Sequence, residues 1–115
     1  MAPTKAEIRF TVTLDDQRLA ERIEWEATES DMPGAQPCDA FTLSVWDARA
    51  EDTLGIDLWT KKFPVRAMRL MIGQTLIRLG AVFARATTDT ELGDRIQQLG
   101  GEVLASADGG GGEDG

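Results

Sequence analysis

The sequence predicts an α+β domain: a four-stranded antiparallel meander sheet followed by two C-terminal helices packed on one face. Three observations predict it. Four segments between residues 5 and 59 alternate apolar and polar side chains, the period of a half-buried strand. Beyond Phe63 the apolar residues recur at spacings of three and four, the period of an amphipathic helix. At 115 residues the chain has the size of a single domain, taken here as 1–106 with a disordered tail over 107–115.

The first strand runs to Leu14, with Ile8, Phe10, Val12 and Leu14 on one side and Glu7, Arg9, Thr11 and Thr13 on the other. Asp15-Asp16-Gln17 supplies a turn, and Arg22 to Thr28 alternates again, placing Ile23, Trp25 and Ala27 opposite Glu24 and Glu26. Trp25 shares its face with Ile23 and is expected in the core. Residues 29–40 contain Pro33-Gly34 and Pro37, which oppose both helix and ladder and predict an exposed loop.

Phe41 to Val65 organises the rest. Phe41, Leu43 and Val45 alternate with Thr42, Ser44 and Trp46, and Leu54, Ile56 and Leu58 alternate with Gly55, Asp57 and Trp59. A turn over Asp47 to Thr53 makes these a hairpin whose aliphatic residues form one face, with both tryptophans on the other.

Pro64 suits a first helical turn, so a long helix is expected over 64–87. Its stripe is Val65, Met68, Ile72, Leu76, Leu79, Phe83 and Ala86, which should lie on the sheet. Gly73 and Gly80 fall on nearly one side and admit a close backbone, either the next helix or a second subunit. Thr88-Asp89-Thr90-Glu91 has the residue types of a capping box and starts a helix over 89–105. That helix carries Leu92, Ile96, Leu99 and Val103 and is weakened at Gly100-Gly101. The glycine-rich end has nothing to bury.

Composition narrows function. Twenty acidic against twelve basic residues give a net charge of -8, which disfavours nucleic acid and anionic lipid. The absence of histidine removes the commonest general base and metal ligand. The lone Cys38 rules out an intrachain disulfide and suits a reducing compartment. No signal-like run opens the chain and no segment reads as a bilayer span, so a cytoplasmic protein without membrane insertion is expected.

Asp47, Glu51, Asp52 and Asp57 lack the spacing of a calcium loop, and the glycines at 109–112 lack the context of a phosphate loop. No catalytic residue, metal or cofactor is assigned. What remains is the outer sheet face, where Trp46 and Trp59 stand among Thr42, Ser44 and Asp57. Large rigid rings in polar surroundings suit a protein partner, and these five residues form the candidate contact surface. The long helix or a sheet edge could also support a homo-oligomer.

The runs EIRFTVTLDDQ (7–17), RIEWEAT (22–28), FTLSVWDARAEDTLGIDLWTKKFPV (41–65) and ARATTDTELGDRI (84–96) resemble the GldC family, small proteins named for a genetic association with bacterial gliding motility. The likeness spans roughly residues 5–104 and is most specific at 46–61. It implies a soluble, non-secreted, non-enzymatic protein with no catalytic motif to carry over. The expected function is therefore a gliding-associated interaction protein. Strands followed by two helices is also the element order of the export chaperone SecB, which makes a binder of unfolded or exported chains the alternative.

Overall fold

The structure is a computed structural model that describes residues 4–110. Five strands, β1 (Ile8–Leu14), β2 (Ala20–Ala27), β3 (Gln36–Cys38), β4 (Ala40–Asp47) and β5 (Asp52–Trp59), precede helices α1 (Val65–Thr87) and α2 (Thr90–Ala105). The chain divides into two compact units that part between Phe63 and Pro64.

In the strand unit, β1 and β2 pair antiparallel, with Val12 opposite Ile23, Phe10 opposite Trp25 and Ile8 opposite Ala27. Ile23, at 0% exposure, is the one large side chain fully buried among the described residues. Trp25 is half-buried on that same face, less enclosed than a core residue.

The expected four-stranded sheet is instead two antiparallel sheets, β1-β2-β3 and β4-β5. The cause lies in the segment expected to be loop. Gln36–Cys38 takes the free edge of β2, with Cys38 opposite Ile23 and Gln36 opposite Trp25. Pro37 is tolerated there because an edge strand has ladder positions that need no donor. The chain then bends at Asp39, and β4 leaves to pair only with β5. The two sheets stay joined at their roots: Thr60 N–H donates to the Asp39 carbonyl at 2.9 Å and Lys61 N–H to the Ala20 carbonyl at 3.2 Å. Phe10 also stacks on Phe41, ring centroids 4.3 Å apart.

In the helical unit, Pro64 stands just before the first turn in extended conformation, and its carbonyl accepts from Met68 N–H. Helices α1 and α2 pack antiparallel through glycine. A Cβ on Gly73 would lie 2.9 Å from the Gly100 carbonyl oxygen, and one on Gly80 2.7 Å from that of Gly93. The glycines of α1 therefore serve the neighbouring helix of the same chain. Gly100 does not break α2, which runs unbroken to Ala105, because that glycine is where the helices touch. The cap differs from expectation by one residue: Asp89, not Thr88, accepts from Leu92 N–H at 3.1 Å. Thr88 has become the left-handed end of α1, at φ 64°.

Ser106–Gly110 continues α2 as a π-helical turn. Ala107 is buried in it and Asp108 pairs with Arg66 at 2.8 Å. Of the expected tail, residues 111–115 lie outside the described residues.

One sequence expectation needs correcting. By length and composition alone, α1 is long and apolar enough to cross a bilayer. It also carries Arg66, Arg69, Arg78 and Arg85, and one side is sealed by α2, whose other sides bear Glu91, Asp94, Arg95 and Glu102. Charges at such depth are costly in lipid.

Candidate functional site

The β4–β5 ribbon pairs Trp46 with Thr53, Ser44 with Gly55, Thr42 with Asp57 and Ala40 with Trp59. Directly opposed residues share a face, so Trp46, Ser44, Thr42, Asp57 and Trp59 lie together as the alternation predicted. They do not form one cluster. Six residues of strand separate the level of Trp46 from that of Trp59, about 20 Å at the rise of an extended chain. Each indole closes one end of a strip floored by small side chains. Trp46 is 62% exposed and Trp59 53%. At Gly55 even an added Cβ would meet only the Leu43 carbonyl oxygen, at 3.7 Å.

The turn at the tip is built by Asp47, whose Oδ1 accepts from Arg49 N–H at 3.0 Å and Ala50 N–H at 3.4 Å. Glu51 there takes a left-handed φ of 50°. With Glu51, Asp52 and Asp57 the ribbon is acidic, Arg49 being its one cation. Among the described residues no three acidic or cysteine side chains come together as a metal-binding group. Cys38 sits on β3, and burial pushes its thiol pKa up, which suppresses the reactive thiolate.

The opposite face of the ribbon holds Phe41, Leu43, Val45, Leu54, Ile56 and Leu58. Toward the root Phe41 and Leu58 are partly covered, but Val45, Leu54 and Ile56 are 51%, 56% and 54% exposed. Alternation assigns such residues to a buried face without saying what buries them, so their exposure was not foreseen.

The described residues thus define a small α+β protein of antiparallel strands followed by a helical hairpin, with both exposed indoles on one ribbon. The family described as "Gliding motility-associated protein GldC-like" matches residues 20–108, and the chain belongs to that family. No curated protein and no solved structure matches it.

Proposed function

We propose that the chain is a non-enzymatic, cytoplasmic component of gliding motility that holds a protein partner against the Trp46–Trp59 face of its ribbon. Family membership supplies the link to gliding. The observation that carries the mode of action is the pair of exposed indoles at the two ends of one small-residue strip. Indoles give much contact area for little lost entropy, and a strip of about 20 Å accommodates roughly six residues of extended chain. The acidic surroundings, Asp57 within the strip and Asp47, Glu51 and Asp52 at the tip, select a segment with basic residues.

The test is affinity capture of the partner followed by titration of the two purified proteins. Trp46→Ala and Trp59→Ala should each weaken binding at least about tenfold. A double variant that binds as tightly as the wild type would remove the proposed surface.

The open apolar face of Val45, Leu54 and Ile56 favours a second reading, a SecB-like binder of unfolded or exported chains. In that case the protein would suppress aggregation of unrelated unfolded proteins. The effect would follow Val45→Ser and Ile56→Ser rather than the tryptophan variants.

A further inference from the structure

The glycine contacts fix which sides of the two helices face each other. Gly73, Ile77, Gly80 and Ala84 of α1 meet Gly93, Gln97, Gly100 and Leu104 of α2. On α1 the large apolar residues Ile72, Leu76, Leu79 and Phe83 each precede a contact residue by one position. On α2, Leu92, Ile96, Leu99 and Val103 do the same. One position is a turn of about 100° about the helix axis, and because the helices run antiparallel, equal offsets put both rows on the same side of the pair. The result is one continuous apolar face. Its opposite side carries polar residues such as Gln74, Arg85, Asp94 and Gln98. Leu79, Leu92 and Leu99 on the apolar face are 46%, 42% and 51% exposed.

We infer that this face is covered by the same face of a second copy, giving a four-helix dimer. The size is sufficient. Two helices about 10 Å wide, side by side over the roughly 24 Å of α2, present a footprint of about 500 Å² per copy. The pair reaches about 1,000 Å², the floor for a specific interface. Charge selects the arrangement. Helix α1 carries four arginines and no acid, whereas α2 carries Glu91, Asp94 and Glu102 against Arg95 alone. A two-fold axis running along the helices lays the net-cationic α1 of one copy over the net-acidic α2 of the other, where the perpendicular axis would lay α1 on α1 and bring like net charges together.

Light scattering of the full chain over a dilution series tests this. The wild type should show twice the chain mass of 12.5 kDa, and Leu99→Glu should return it to monomer with helical circular dichroism retained. Gln98→Glu, on the polar side, should remain a dimer. If Leu99→Glu does not fold, Leu99→Ala serves instead and should raise the dimer dissociation constant at least about tenfold. A wild type that is monomeric at about 100 µM, some hundredfold above the dissociation constant of a micromolar complex, overturns the proposal, since the face is then not held by a second copy. So does a folded Leu99 variant that dimerises as well as the wild type.

Discussion

Gly80 and Gly93 are reciprocal: a Cβ added to the first would stand 2.7 Å from the carbonyl oxygen of the second, and one added to the second 2.8 Å from that of the first. Both obstacles are main chain, so no side chain can swing aside. Gly80→Ala is therefore expected to destabilise the protein by about 1–3 kcal/mol through overpacking, although alanine at a solvent-facing helical site gains about 1 kcal/mol over glycine. Gly101 supplies the control, because nothing lies within 4 Å of its added Cβ. Gly101→Ala should stabilise by about 0.5–1 kcal/mol. Urea unfolding of the two variants should move the midpoint in opposite directions.

Thr88 holds a left-handed conformation at φ 64° while terminating α1, a state that costs a β-branched residue about 1–2 kcal/mol. Thr88→Gly should recover about 1 kcal/mol. One position further on, Asp89→Ala should lose about 1 kcal/mol with the amide cap on Leu92. Thermal melts of the two variants should shift to opposite sides of the wild type.

Lys61 donates to Asp15 Oδ2 at 2.7 Å, while Asp15 Oδ1 accepts from the amides of Gln17 and Leu19. The lysine hydrogen bond, followed by the Leu19 amide, lowers the Asp15 pKa from 3.8 to about 2, and the same contact raises that of Lys61. A carboxylate more acidic in the folded state contributes stability above its unfolded pKa and loses it as pH falls through the folded one. The lysine contribution is complete below its unfolded pKa and fades as pH rises through the raised value. Urea midpoints of the wild type should therefore exceed those of Asp15→Asn by a steady margin between about pH 4 and 10. That margin should narrow toward pH 2 and shrink in high salt.

The three tryptophans differ in exposure: Trp25 is half-buried, while Trp46 and Trp59 lie open. In the Trp46→Phe, Trp59→Phe variant the remaining fluorescence should be blue-shifted and resist acrylamide quenching more than the wild type. Its stability should stay within about 0.5 kcal/mol, as expected for surface changes, which separates lost binding from lost folding.

Most elements were legible where one period ran uninterrupted. The β4–β5 register and the division of its faces follow from strict alternation over Phe41–Trp46 and Leu54–Trp59, and both helices follow from their apolar spacing. The pairing partners were less legible. Alternation marks a strand without saying which edge it joins, so Gln36–Cys38, with Pro37 at its centre, was hidden, and with it the split at Asp39. Glycine spacing identified the close-approach side of α1 but left its occupant open, and the contacts with Gly93 and Gly100 resolve that choice. The candidate surface was readable as a shared face. The distance between its two indoles required the register, because alternation alone does not fix where a hairpin turns between the strands that flank it.

Within the strand unit, the described residues fasten the ribbon where it begins. The two backbone bonds at Asp39 and Ala20 and the Phe10–Phe41 stack all lie at its root, and a two-stranded ribbon is marginal by itself in water. Such an arm opens from its free end inward, so amide deuteration should be quickest around Arg49–Thr53 and slowest near Leu58. A ligand gripping Trp46 would then have to still a swaying tip while one gripping Trp59 meets a fixed hinge, so the former contact should show the larger entropic penalty.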